Sequence, residues 1–259
     1  MPYTFAHPGF ALPLRKIKPG IFSTTGLFFG SITPDFDIIL RFSNQRFHIF
    51  QYDMKNIFLV ILPVTFISSI YFHLIIRNVL IDYAPTSLLQ FTLKYKGFNY
   101  LHYLKNNFVK VALSMMLAVF LHLFLDIISH LDAYPYRIIG EYLFNSEKAG
   151  HFFYYLAMYF PPVFFSITGF YLLYKTMNEA VVLLPFLKAI LFEKKSRNFI
   201  MYFIVFTIIL GLIKLKITGI EDHFFIDSLV ISLTNGLMIS FFVTPTIFFL
   251  INKIKTLHG

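Results

Sequence analysis

From Phe108 to Leu131 the chain stays largely apolar for 24 residues, enough for one helix to cross the roughly 30 Å hydrocarbon core of a bilayer. Five further runs have similar character: Ile21–Leu40, Ile57–Ile76, Phe152–Tyr174, Phe199–Ile217 and Phe224–Ile251. Only 14% of the residues are charged, where a soluble domain carries about 25%. The chain is therefore expected to be all-α, a polytopic transmembrane helical bundle of about five to six spans. It reads as a single integral membrane domain over residues 1–259, in which the bilayer itself is the main partner.

The charge pattern sets orientation. Residues 15–18, 77–110, 175–197 and 253–255 hold 15 Lys and Arg, and the opposite side holds 7, so the richer side is expected to be cytoplasmic. The net +9 is this topology signal; no nucleic-acid motif accompanies it, and no nucleic-acid partner is expected. Absence of Cys excludes disulfides and thiolate metal sites. Met1–His7 lacks the basic segment and apolar core of a cleavable signal. Lys175–Asn198 is a basic loop with an apolar, interfacial stretch at Ala180–Phe192, and Pro161-Pro162 is expected to kink its span.

Ionisable residues inside apolar runs are costly unless partnered. His122, Asp126 and His130 follow an i, i+4, i+8 spacing, which stacks them on one helical face. Imidazole nitrogen and carboxylate oxygen are ordinary ligands for a divalent metal. The bland alternative is helix-to-helix hydrogen bonding, with His122 donating to a carbonyl. Pro34-Asp35-Phe36-Asp37 places two carboxylates at the far end of the first run, where one could ligate and the other act as a base. His48 lies in a loop on that same side. His7 reaches the site only if Phe5–Lys18 dips into the membrane as half of a hairpin with Ile21–Leu40; otherwise it is interfacial. His73, His102, His151 and His223 read as interfacial.

Thr4-Phe-Ala-His7-Pro-Gly-Phe-Ala-Leu-Pro-Leu14, Gly30-Ser-Ile-Thr-Pro-Asp-Phe-Asp37, Phe72-His73-Leu-Ile-Ile-Arg77 and His122-Leu-Phe-Leu-Asp-Ile-Ile-Ser-His130 together resemble the uncharacterised bacterial membrane family called domain of unknown function 4184. The resemblance runs from the N-terminus to about residue 175. Near position 48 the family usually has Ser-His followed by small and apolar residues, where this chain reads Arg46-Phe-His-Ile-Phe-Gln.

The pattern is also similar to that of the inner-membrane metal-dependent hydrolases. That similarity implies His7, Asp35, His122 and Asp126 as metal ligands, with His48 as a further candidate. Asp37 and His130 would be acid/base or supporting groups. Two His and two Asp suit zinc, with manganese or iron as alternatives, and the expected setting is a bacterial inner membrane. The resulting expectation is a membrane-embedded hydrolase acting on a lipid-linked phosphoester. The alternative is a transporter or assembly factor whose His and Asp line a polar path.

Overall fold

The computed structural model of the chain describes residues 6–18, 20–36, 54–86, 92–130, 193–218 and 225–258, with a few positions between 156 and 168. Every regular element among them is helical. The chain opens with α1 (Ala6–Ala11), α2 (Pro13–Ile17) and α3 (Thr24–Ile32), and α3 tightens into a 3-10 turn over Thr33–Asp35. A continuous helix, α4 (Met54–Asp82), follows, then the short α5 (Tyr100–Asn106) and α6 (Phe108–His130). The last two are α7 (Lys194–Thr218) and α8 (Phe225–His258).

Among the described residues four helices are long and apolar enough to cross a membrane: Met54–Asp82, Phe108–Asp126, Lys194–Thr218 and Ser228–Leu257. They coincide with four of the six expected spans. Large apolar side chains point outward from all of them; Ile67, Val109, Met201 and Leu257 are each more than half exposed, as befits surfaces covered by lipid. The expected fourth span in chain order, Phe152–Tyr174, lies largely outside the described residues.

The described part of the first run, 21–36, opens on a turn before its helix begins. Ile21 and Phe22 belong to a turn, Ser23 is extended and caps α3 by accepting from the Gly26 N–H, and Pro34 sits in the 3-10 turn. The described helical stretch from Thr24 to Phe36 is about 20 Å long by helical rise, and the rest of the run, 37–40, lies outside the described residues. What forms is the hairpin that His7 requires. Ala11 packs on Leu27 and Ala118, and Leu14 and Phe22 join the same cluster, so α1 and α2 fold back along α3.

α3 and α6 pack in parallel with a constant sequence offset. The Ser23 N–H donates to the Ser114 hydroxyl at one end (2.8 Å), and the His122 Nδ1–H donates to the Ser31 carbonyl toward the other (2.7 Å); each pair is 91 residues apart. The approach is close because α3 carries Gly26-Leu-Phe-Phe-Gly30, a small-residue spacing that lets helix backbones meet in a membrane. A methyl group on Gly26 would stand 2.7 Å from the Ser114 Cβ and 2.8 Å from the Val111 carbonyl. One on Gly30 would collide with the Met115 carbonyl. α7 and α8 use the same device, with Gly236 set against Gly211 and the Thr207 carbonyl. Met238 of α8 joins Phe29, Ile32 and Phe36 in a buried cluster, which ties the C-terminal pair to the α3 side of the bundle.

Candidate metal centre

The 91-residue offset that pairs Ser31 with His122 also pairs Asp35 with Asp126. The two carboxylates therefore end at one level, and His122 lies one turn before Asp126 on α6. α1 brings His7 onto them: its ring stacks on that of His122, with centroids 3.7 Å apart and planes inclined by 24°. His7 Nε2 stands 3.8 Å from Asp35 Oδ2 and 3.7 Å from Asp126 Oδ1. His122 Nε2 stands 3.7 Å from Asp35 Oδ1 and 3.3 Å from Asp126 Oδ2. The His7, Asp35 and His122 side chains are fully buried, and only Asp126 keeps about a tenth of its side-chain surface.

Three residues, His7, His122 and Asp126, offer ligand atoms that all lie within 4.8 Å of one another and could hold a metal ion. Asp35 faces the two imidazoles with different oxygens, as a bridging or fourth carboxylate would. With metal–ligand bonds of about 2.1 Å, neighbouring ligand atoms in a tetrahedron are about 3.4 Å apart. The observed nitrogen–oxygen separations of 3.3–3.8 Å are close to that spacing. The Ser31 carbonyl adds a supporting contact: it accepts from Nδ1 and leaves Nε2 as the nitrogen facing the carboxylates. Metal-bound imidazoles are commonly oriented in this way.

Charge balance supports the same use. Two carboxylates buried with two neutral imidazoles leave a charge of −2, and buried charge of that kind is paired or coordinates a metal. Protonating both imidazoles would also balance it. It would stack two cations with ring centroids 3.7 Å apart, a repulsion of about 4 kcal/mol at an effective dielectric of 20. A divalent cation at the ring edges avoids that repulsion.

The expected residues are thus distributed unevenly. His7, Asp35, His122 and Asp126 come together. Asp37 and His48 lie outside the described residues. His130 is the last residue of α6, one turn beyond Asp126. Two contributors went unread in the sequence. Ser31 acts through its backbone carbonyl, which no residue pattern reveals. Gly26 and Gly30 set the helix separation, and their spacing within an apolar run was a readable sign. His73, expected to be interfacial, instead bonds to Thr25 on α3 and to Arg77, at the other end of the hairpin.

Fold and site define a helical membrane protein with a buried His/Asp cluster between an N-terminal hairpin and a long apolar helix. The chain belongs to the family described as a domain of unknown function (DUF4184), whose model matches residues 1–246. The family thus extends well past the N-terminal 175 residues whose motifs first resembled it. No curated protein and no solved structure matches the chain.

Proposed function

We propose that the protein is a membrane-embedded, metal-dependent hydrolase in a bacterial inner membrane, with zinc, or else manganese or iron, held by His7, His122, Asp126 and Asp35. The observation that carries this reading is the convergence of two imidazoles and two carboxylates, from three separate elements, at ligand-to-ligand spacing. A divalent metal in such a set supplies Lewis acidity, polarising the bond to be cleaved and making water a competent nucleophile near neutral pH. The chain's own residues supply the rest. Ser31 fixes the His122 tautomer, and Asp35 and Asp126 balance the charge. Asp126 forms the accessible edge, where substrate and water enter. Asp37 and His130, two residues beyond Asp35 and one turn beyond Asp126, are the proton carriers we assign. His122 lies 14 residues into α6, roughly 21 Å along the helix and one turn before Asp126, where the candidate span ends. A site near the membrane surface favours a lipid-linked substrate, and we assign a phosphoester.

Metal content is the deciding measurement. Full-length protein purified in detergent is expected to carry about one transition metal per chain, and His122→Ala/Asp126→Ala to carry none. Hydrolysis of lipid phosphoesters is then expected from the metal-loaded wild type alone. Absence of metal from the wild type, after reloading with zinc and manganese, overturns the reading. The hydrogen bond from His122 to Ser31 favours one competitor: that the cluster only joins α3 to α6. That competitor predicts a protein indifferent to chelators.

A further inference from the structure

At the opposite end of α3 from the His/Asp cluster, a second polar group is assembled from three elements. α4 is a continuous helix whose bonding widens to π-helical over Ile57–Ile61 and again over Phe72–Ile76. Such wide turns inside helices often mark functional positions. The second turn carries His73 and ends at Arg77. The His73 ring lies flat on Tyr100, with centroids 4.0 Å apart, and the buried Tyr100 hydroxyl donates to Ser69 of α4 at 3.0 Å. Burial pushes the Tyr100 phenol above its ordinary range, so it remains a neutral donor.

The hydrogen bonds determine how His73 is protonated. Arg77 has only N–H donors, so His73 Nδ1 accepts from its Nη1 at 3.3 Å. His73 Nε2 then carries the proton and donates to the Thr25 hydroxyl at 3.0 Å. Arg77 also donates from Nε and Nη2 to Asn78 Oδ1, at 3.3 and 3.1 Å, and its guanidinium sits 5.7 Å from the centroid of the Phe98 ring. The guanidinium is therefore pinned by His73 and Asn78, where an interfacial anchor would extend freely into water. Three of its five N–H groups are engaged, which leaves one on each terminal nitrogen. Among the described residues no carboxylate lies within ion-pair distance of it; Asp82, the acidic residue that ends α4, pairs with Lys96. Arg15, Lys16 and Lys18 lie in and just after α2, at the turn that leads into α3.

We propose that Arg77, fixed by His73 and Asn78 between α4, α3 and the segment around Phe98–Tyr100, is an anion site that takes one phosphate group. The fork left on its two terminal nitrogens matches two phosphate oxygens, the pairing for which guanidinium is better suited than ammonium. Basic pockets between helices on the Lys/Arg-rich side of a membrane take anionic lipid headgroups in this way. A free phosphate presents the same oxygens. Thr25 and Asp35 are ten residues apart on α3 and its 3-10 extension, so this site lies roughly 15 Å from the His/Asp cluster and stands whether or not that cluster holds a metal.

The test uses the full-length chain in detergent. Native mass spectrometry during titration with phosphatidylglycerol probes the lipid source. Thermal unfolding in sodium phosphate, against sodium chloride at equal ionic strength, probes the free anion. Lys255→Gln, an exposed charge near the C-terminus, is the control. One Arg77-dependent bound lipid without a phosphate shift identifies a headgroup; an Arg77-dependent phosphate shift identifies the free anion. In either case Arg77→Gln is expected to bind about tenfold more weakly. Arg77→Lys, which keeps the charge and loses the fork, is expected to bind several-fold more weakly, and Lys255→Gln to match wild type. If Arg77→Gln does not fold, Arg77→Lys decides. Binding that is undetectable in the wild type, or equal in wild type and Arg77→Lys, overturns the proposal.

Discussion

Asp126 is the residue whose two roles separate most cleanly. As a ligand it would be needed only when metal is bound; without metal it is a second carboxylate held with Asp35 against the same two imidazoles. Asp126→Asn is therefore expected to lower metal affinity at least tenfold. It should also remove the drop in melting temperature that a chelator causes in the wild type, because a ligand that binds only the folded state stabilises it by mass action. In chelator the variant is expected to be at least as stable as wild type. If Asp126→Asn instead melts lower than wild type with and without chelator, Asp126 is helix glue. At this scale the sequence was legible where an ionisable residue interrupted an apolar run: His122, Asp126 and Asp35 announced themselves by their cost in lipid. His7 did not, because its segment is short and full of Pro and Gly, and only the fold-back of α1 along α3 settles its burial. Ser31 could not be read at all, since it contributes a carbonyl that every residue possesses.

The α3–α6 pair is set by two glycines. Gly30→Leu is expected to force the helices apart, at about 1–3 kcal/mol for overpacking, and to lose bound metal with it. Gly20 has nothing within 4 Å of where a Cβ would stand, so Gly20→Ala is expected to change the melting temperature by less than a degree or two. Thermal unfolding and metal content of the two variants check both. The four long helices were readable from length and hydropathy alone. Where the first run's helix starts was not, because its composition suits a helix from Ile21 while the Ile21–Phe22 turn and the Ser23 cap delay the start to Thr24. The pairing of α3 with α6 was hidden for another reason: their contacting residues are 91 positions apart, and no local pattern encodes that offset.

Across the whole molecule the N-terminal pieces are joined to the C-terminal pair by polar contacts near the basic side. Glu193, just before α7, accepts hydrogen bonds from the Thr86 backbone and hydroxyl and from the Ser196 hydroxyl. These bonds hold its carboxyl below the ordinary value of 4.5. A carboxylate favoured in the folded state contributes stability above its unfolded pKa and loses it as the pH falls through and below that value. Melting temperatures of wild type and Glu193→Gln are accordingly expected to differ at pH 7 and to converge as the pH drops below about 4.5. A constant difference across that range would mean that the Thr86 contact does not depend on the charge. Deleting residues 1–18 is expected to abolish metal binding through loss of His7 while the four long helices still insert, as metal analysis and membrane fractionation would show.

The parallel pairing also has a consequence in time. Asp35 precedes His122 by 87 residues, so at about 5–20 residues per second the ribosome needs roughly 4–17 s to go from one to the other. Throughout that interval the hairpin exists with its carboxylate and imidazole and without the helix that completes their surroundings. Such a hairpin has to wait where water, or the insertion machinery, can host those groups. Closure of the His/Asp cluster has to await α6, which makes it a late event in the birth of the protein.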